Sequence, residues 1–144
     1  MEKVLVIHGP NMNLLGTREP HIYGTTTLEE LNATLAQTAK AMGLKLVSIQ
    51  SNHEGEIVQA IQEAGAYLGV VLNAAGYTHT SVAIRDAVAA CPVPVVEVHM
   101  TNPAAREPFR QVSLLASVCA GTIAGFGIDS YILALMWLAR TRKG

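Results

Sequence analysis

Glu97 and His99 form the first residue pair whose types and spacing suit proton transfer. They alternate with Val96 and Val98 in an apolar run, and alternate side chains of a strand share one face. A carboxylate beside an imidazole favours the imidazolium, which suits a general acid near neutral pH. A histidine at a strand end is often structural, so the pair alone leaves a catalytic and a structural interpretation open.

Arg18 and Tyr23 form the second such pair, within the long segment from residue 16 to residue 27. A guanidinium stabilises a phenolate, and a tyrosine tuned in this way can abstract a proton from carbon. Long ordered loops in compact domains are often lids, and Gly16 and Gly24 are candidate hinges. A lone tyrosine in a loop usually serves packing, so a catalytic role for Tyr23 requires Arg18 nearby.

Three polar segments, residues 8–11, 73–81 and 97–102, supply further candidates, and each follows an apolar run. Any one of these residues could serve only a cap or a turn. As a set they bring amides, imidazoles, hydroxyls and a carboxylate, which predicts a binding or catalytic site.

Charged residues elsewhere have simpler interpretations. Arg106 and Arg110 are four apart and could share a helix face, and we interpret Arg106 as solvated surface. Arg85 and Asp86 begin a predicted helix, where a carboxylate suits the helix dipole. That structural role competes with a catalytic role for Asp86.

Apolar runs alternate with helical periodicity along the chain and predict the elements that position these residues. The predicted strands span residues 3–8, 44–50, 68–73, 93–99 and 121–126. The predicted helices span residues 28–42, 51–64, 82–90, 108–118 and 130–140. Thr27 with Glu30 forms a capping box, Gly43 ends that helix, and Ser51 with Glu54 is a second candidate cap.

This alternation predicts an α/β fold in which helices cover both faces of a parallel sheet. Five strands at this length favour a flavodoxin-like three-layer sandwich with the strand order 2-1-3-4-5. In such sheets, ligands bind beyond the carboxyl ends of the strands, at the switch point of the order. The three polar segments follow strands one, three and four and should meet there.

The composition constrains organisation and partners. The 144 residues fit a single domain, residues 1–144. Half of the residues are apolar and 15% are charged, which favours apolar surface buried between subunits over a well-packed core alone. A net charge of -1 without a basic run argues against a nucleic-acid partner.

The longest apolar run, residues 131–139, is too short for a bilayer, and residues 4–7 are too short for a signal peptide. We therefore expect a cytoplasmic protein.

Motifs for cofactors and metals are missing from the sequence. It has no GxGxxG and no GxxxxGK[ST], and Cys91 and Cys119 match no common zinc spacing, so both are expected to be small buried hydrophobes. No lysine is placed at a strand end for a Schiff base, the four being Lys3, Lys40, Lys45 and Lys143. Carbonyl chemistry would therefore use general acids and bases through an enolate, without cofactor or metal.

The polar motifs closely resemble, in register, the signatures of the type II dehydroquinase family. They are residues 9–16, 18–20, 23–24, 73–81, 85–86, 97–99, 105–107 and 109–110. The resemblance implies a flavodoxin-like fold and a 3-dehydroquinate dehydratase, a hydro-lyase that forms 3-dehydroshikimate and water by anti elimination. It also implies a dodecamer built as a tetramer of trimers, acting in the shikimate pathway or in quinate breakdown.

The resemblance also implies a role for each residue. Tyr23 would be the base, with Arg18 stabilising its phenolate and the transition state. His99 would protonate the departing hydroxyl, oriented by Glu97, and Asn11 would place a water against the enolate. The substrate carboxylate would be held by Asn73 and by the backbone amides of Met100 and Thr101. Ring hydroxyls would be bound by His79, Arg110 and Asp86, the last reaching a neighbouring subunit's site.

Two positions depart from the family's usual pattern. His8 stands where Asn or Gln is usual and could alter the hydrogen bonding around Asn11. Pro103 and Ala104 replace a common Ile-His pair, so neither position supplies a histidine.

Three other functions stay open on the residues alone. A flavin electron carrier would need a hydroxyl-rich phosphate loop where the chain has residues 8–11. A phosphorylated signalling module would need acidic residues after strand one and an Asp ending strand three, where the chain has His8 and Asn73. A catalytically silent binding relative is the third.

Overall fold

A computed structural model describes residues 1–142 of the chain. Within them, five parallel strands form a sheet in the order β2-β1-β3-β4-β5, which confirms the predicted order. The strands are β1 Glu2–His8, β2 Leu44–Gln50, β3 Gly69–Asn73, β4 Val95–His99 and β5 Gly121–Ala124.

The register of β1 determines which side chains meet at the edge of the sheet. β1 pairs with β2 on one side and with β3 on the other, and His8 lies opposite both Gln50 and Asn73. β4 ends at His99, which pairs with Ala124 of β5. Because all five strands run in one direction, the segments that follow β1, β3 and β4 converge at one edge.

Helices cover both faces of the sheet, as the alternating pattern predicts. They are α1 Pro20–Tyr23, α2 Leu28–Ala41, α3 Glu54–Gln62, α4 Val82–Ala90 and α5 Ile128–Arg140. α2 and α5 pack with Val4 and Val6 of β1, whereas α3 and α4 pack with Leu5 and Ile7 on the opposite face. No helix within residues 1–142 combines the length and apolarity needed to cross a membrane.

Local sequence signals fix several helix ends. Thr27 Oγ1 accepts a hydrogen bond from the Glu30 N–H at 3.2 Å, which confirms the predicted capping box of α2. Gly43, with a φ of 77°, follows the end of that helix. The predicted Ser51 cap is wrong, because α3 begins at Glu54 with His53 as its N-cap. Ser51 instead accepts from the His53 N–H at 2.9 Å.

The helix predicted over residues 108–118 is wrong. A 3-10 turn, Pro108–Arg110, is followed by irregular chain. Ser113 Oγ accepts from the Leu115 N–H at 3.1 Å, and the Leu114 N–H donates to the Thr78 carbonyl at 2.9 Å. These partners satisfy the backbone groups that a helix would otherwise pair internally.

β4, β5 and α5 each differ from the prediction by two residues at one end. β4 begins at Val95 because Pro94 has no N–H for the ladder, although its carbonyl accepts from Val70 N at 2.9 Å. β5 ends before Gly125, where φ is 96°. α5 begins at Ile128, after Gly127, which adopts a φ of 60°.

Candidate active site

The carboxyl ends of β1, β3 and β4 border a cavity of about 120 Å³. It is lined by Pro10, Asn11, Met12, Arg18, Tyr23, Asn73, Ala75, Gly76, His79, His99, Met100, Thr101, Pro103, Arg106 and Arg110. Of the eleven residues predicted for the site, all but Glu97 and Asp86 line it, which leaves nine. The fold therefore brings most of the predicted set together within one chain.

Tyr23 lies beside two guanidinium groups at the cavity wall. Its hydroxyl oxygen accepts a hydrogen bond from Arg106 Nη1 at 2.8 Å. The Cζ atoms of Arg18 and Arg106 lie 5.1 and 5.3 Å from the centre of the Tyr23 ring. Both guanidinium groups therefore contact the phenol, one at its oxygen and both near its ring.

The interpretation of Arg106 as solvated surface is wrong. Its side chain is only 13% exposed, and it bonds to Tyr23 across the cavity. Arg106 and Arg110 do not share a helix. Arg106 follows the 3-10 turn Pro103–Ala105, and Arg110 is the last residue of a second 3-10 turn, Pro108–Arg110. The sequence around Arg106 contains no signal that its side chain contacts Tyr23, which lies 83 positions away.

The segment that carries Arg18 and Tyr23 folds back on itself through left-handed backbone. Gly16 has a φ of 94°, and a Cβ there would meet the Thr25 carbonyl oxygen at 3.0 Å. Gly24, with a φ of 81°, ends α1, and Pro20 starts it. This short helix, which the sequence did not predict, places the Tyr23 side chain against the cavity.

His99 and Glu97 form a buried pair at the end of β4. His99 Nε2 and Glu97 Oε2 lie 2.5 Å apart, which leaves His99 Nδ1 as the nitrogen available for proton transfer. Glu97 is 1% exposed and also accepts from Ser113 Oγ, at 2.9 Å to Oε2. Thr122 Oγ1 adds a longer contact of 3.5 Å to Oε1. Glu97 thus lies behind His99, where it can orient the imidazole.

Ser113 and Thr122 are partners of Glu97 that the sequence did not predict. Thr122 lies opposite Glu97 in the β4–β5 register. The pairing of β4 with β5 therefore predicts this contact once the register is known. Ser113 comes from the irregular segment that replaces the predicted helix.

The thiol of Cys119 lies near this pair and is unsuited to nucleophilic chemistry. Burial, and secondarily the negative charge of Glu97, raises the pKa of Cys119 to about 12. Cys119 and Cys91 are both free and only partly buried, in contrast to the expectation of full burial.

Asn73 is held by a chain of buried side chains that begins at His8. Asn73 Nδ2 donates to the Tyr131 hydroxyl at 2.9 Å, and that hydroxyl lies 3.0 Å from His8 Nδ1. His8 Nε2 lies 2.8 Å from Asn32 Oδ1. Burial lowers the pKa of His8 to about 4, partly offset by the hydrogen bond to Asn32, so the ring is neutral at neutral pH. The expected effect of His8 on Asn11 is wrong, because its contacts lead to Asn73.

Asn11 and His79 take fixed orientations from groups outside the cavity. Asn11 adopts a left-handed conformation with a φ of 68°, and its N–H donates to Asn52 Oδ1 at 2.9 Å. His79 Nδ1 donates to the Val112 carbonyl at 2.8 Å, which leaves Nε2 for a ligand.

Asp86 lies outside the cavity of its own chain. It is the fifth residue of α4, the first turn of which contains no acidic residue, so the helix-dipole interpretation is wrong. Its side chain is 64% exposed and pairs with Arg85 at 3.0 Å.

Groups of metal ligands and lysines suited to a Schiff base are both missing from the cavity in the part of the chain that the structure describes. No three His, Cys, Asp or Glu side chains within residues 1–142 are grouped to hold a metal ion. Lys3, Lys40 and Lys45 do not line the cavity, and Lys143 lies outside the described residues.

Comparison with known proteins points to one family. The family model described as "Dehydroquinase class II" matches residues 2–139. The chain is 56% identical over 141 residues to a 3-dehydroquinate dehydratase of Azorhizobium caulinodans, covering 98% of this chain and 96% of that protein. A 3-dehydroquinate dehydratase of Ruegeria pomeroyi is 54% identical over 140 residues, with 96% and 94% covered.

Solved structures have the same fold. The type II dehydroquinase from Propionibacterium acnes superposes with a TM-score of 0.94 at 42% identity, covering 97% of each chain. A 3-dehydroquinate dehydratase-like protein from Bifidobacterium longum superposes with a TM-score of 0.73 at 32% identity, also covering 97% of each chain.

Proposed function

The chain belongs to the class II dehydroquinase family, and from that membership we propose that it converts 3-dehydroquinate to 3-dehydroshikimate and water by anti elimination through an enolate. The observation that carries the mechanism is that Tyr23, in contact with two guanidinium groups, lines the same cavity as His99. One residue can then accept a proton while the other donates one.

In the first step, the Tyr23 phenolate takes the proton from the carbon next to the ketone. The electron pair of that C–H bond moves toward the carbonyl oxygen and forms an enolate. Arg106 and Arg18 stabilise the phenolate before the transfer, and a water held by Asn11 donates a hydrogen bond to the enolate oxygen.

In the second step, the enolate expels the hydroxyl on the β carbon. His99 protonates that hydroxyl from Nδ1, since Nε2 is engaged by Glu97. The hydroxyl leaves as water and the enolate becomes a conjugated enone. Return of the proton from Tyr23 to His99, by way of solvent, restores both groups.

Binding of the substrate uses the remaining polar groups of the cavity. Asn73 and the backbone N–H groups of Met100 and Thr101 take the carboxylate; those two N–H groups make no hydrogen bond within residues 1–142. His79 and Arg110 take ring hydroxyls from the cavity wall. Asp86 supplies a further contact in a neighbouring subunit's site.

The proposal extends to assembly and location. The chain forms a dodecamer from four trimers in the cytoplasm and serves either the shikimate pathway or quinate breakdown. Large apolar side chains on its surface, among them Val82, Phe109, Val112 and Phe126, support burial between copies.

An ultraviolet assay for the conjugated enone tests the activity. Purified protein and 3-dehydroquinate, without added metal, should produce the enone absorbance, and His99→Ala should abolish it. Absence of product from folded wild-type protein that still binds the substrate would instead favour a catalytically silent binding protein.

A further inference from the structure

We propose that His8 is a positioning residue that, through Tyr131, fixes the direction in which the Asn73 amide presents an N–H to the substrate carboxylate. The inference rests on the proposed function, because it concerns the carboxylate-binding part of that site. None of these three residues takes part in the proposed proton transfers, so His8 and Tyr131 act through Asn73 alone.

The buried partners of His8 determine where each proton lies. Asn32 presents its oxygen to His8 Nε2 at 2.8 Å, so Nε2 carries the proton and Nδ1 is an acceptor in the neutral ring. Tyr131, fully buried, then donates its O–H to Nδ1 at 3.0 Å and accepts from Asn73 Nδ2 at 2.9 Å. The opposite tautomer would leave the Tyr131 O–H without an acceptor, because both neighbours would donate to its oxygen.

The amide of Asn73 is held at its other end as well. Its Oδ1 accepts from the Ala75 N–H at 3.1 Å, which excludes an exchange of the amide oxygen and nitrogen. Nδ2 therefore points toward Tyr131 and donates one hydrogen bond to the Tyr131 hydroxyl. Its remaining contact is Met12 Sδ at 3.7 Å, a weak acceptor in the cavity wall. A carboxylate oxygen can replace that sulfur contact at little cost.

The simpler alternative is that these residues only satisfy each other inside the core. A role confined to the core would lower stability when a partner is removed but would leave the KM of folded protein unchanged. A positioning role raises KM with little change in kcat, because the carboxylate is held equally in the ground state and the transition state.

The test compares His8→Leu, which removes the acceptor for Tyr131, with His8→Asn, which places an amide oxygen near the position of Nδ1. We expect His8→Leu to raise KM, and the Kd for 3-dehydroshikimate by titration calorimetry, about tenfold, with kcat within about twofold of wild type. His8→Asn should stay within about threefold of wild type in both KM and Kd. Circular dichroism and the thermal midpoint identify folded samples.

Tyr131→Phe provides the second measurement and decides the matter if His8→Leu does not fold. It removes one oxygen, and in wild-type background it should raise KM as His8→Leu does. In an Asn73→Ala background it should leave KM unchanged while still lowering the thermal midpoint, since the effect passes through Asn73.

The outcomes separate this inference from the proposed function. Wild-type protein with no turnover and no product binding overturns both. Normal turnover with an unchanged KM in folded His8→Leu or Tyr131→Phe, or a further rise in KM in the Asn73→Ala background, overturns the positioning role alone. Failure of His8→Asn to restore KM overturns the assignment to the Nδ1 acceptor.

Discussion

Arg106 Nη1 lies 2.8 Å from the hydroxyl oxygen of Tyr23, although 83 positions separate the two residues in sequence. Arg18, five positions from Tyr23, lies over the ring with its Cζ 5.1 Å from the centre. The guanidinium nearest in sequence is therefore not the one that bonds to the phenol oxygen. The surroundings of the Tyr23 hydroxyl therefore depend on two separate loops.

Replacement of Tyr23 by Phe should remove almost all turnover while the protein still folds. The change deletes only the hydroxyl, and loss of a general base typically costs about 10²- to 10⁴-fold in rate. The enone assay gives kcat, and circular dichroism checks the fold. Near-wild-type turnover would assign the base to another residue.

Replacement of Arg106 by Ala should lower kcat by about 100-fold, because it removes the donor to the Tyr23 oxygen and a charge that stabilises the phenolate. Arg140→Ala is the matched control, since Arg140 is exposed in the last turn of α5 and does not line the cavity. Steady-state kinetics of both variants should show a defect only in Arg106→Ala. Equal rates for the two variants would return Arg106 to the solvated role that its sequence context indicated.

Replacement of Ser113 by Ala should lower kcat about threefold to tenfold and the free energy of unfolding by about 1–2 kcal/mol. The buried Glu97 carboxylate loses a donor at 2.9 Å, and the Leu115 N–H loses its acceptor. Ser113→Thr keeps the hydroxyl and should retain most of the activity. Kinetics with denaturant unfolding measure both effects. An unchanged kcat in Ser113→Ala would show that His99 and Thr122 hold Glu97 in place without Ser113.

The parts of this site that depend on the two-residue alternation of a strand or on local helix signals were predictable from sequence. Glu97 and His99 share a face of β4 because alternate residues of any strand do. α4 was predicted at its observed bounds, Val82–Ala90, and its end lies just before the Cys91-Pro92 step, which disfavours helix. The alternation of strands and helices predicted a parallel sheet, and five strands at this chain length predicted its order.

The parts that depend on contacts between distant segments were not predictable in the same way. The orientation of Arg106 depends on Tyr23, and the irregular segment at Ser113 depends on Glu97 and on the Thr78 carbonyl. These hydrogen bonds join segments that are far apart in sequence. Helix periodicity alone therefore predicted a helix where tertiary partners favour turns.

Stability should fall as pH decreases from about 6.5 to about 4, because of His8. Burial lowers the pKa of His8 to about 4 in the folded protein, whereas the unfolded chain has the ordinary value of about 6.5. Between these values the unfolded state binds more protons, so the stability present above pH 6.5 is lost as pH falls through 4. The loss attributable to His8 is about 3 kcal/mol.

Denaturant unfolding at pH 7 and pH 4.5, at one fixed protein concentration, measures this loss. His8→Asn has no group that titrates in the interval, so the difference between wild type and variant isolates the histidine from the carboxylates. The same pH dependence in both proteins would contradict a neutral, buried His8.

Asp86 should complete the site of a neighbouring subunit. It lies outside the cavity of its own chain, and it is four residues from Val82 on α4, so the two share a face. Val82 is 60% exposed, and an apolar side chain next to an unused carboxylate suits a surface between copies of the chain. The exposed pair with Arg85 contributes little by itself, since ion pairs at the surface are weak.

Mixed assemblies of Tyr23→Phe and Asp86→Ala test this arrangement. Each variant alone should be strongly impaired, and unfolding, mixing and refolding should restore part of the activity, because some sites then combine an intact Tyr23 with an intact Asp86 from the neighbour. Arg140→Ala mixed with Tyr23→Phe is the control, in which activity should equal the simple average of the two. If Asp86 acts only within its own chain, every mixed site still lacks one of the two groups and no rescue occurs. Mixed oligomers confirmed by native mass spectrometry but without rescue would refute the shared site, and a monomer by light scattering would refute the assembly itself.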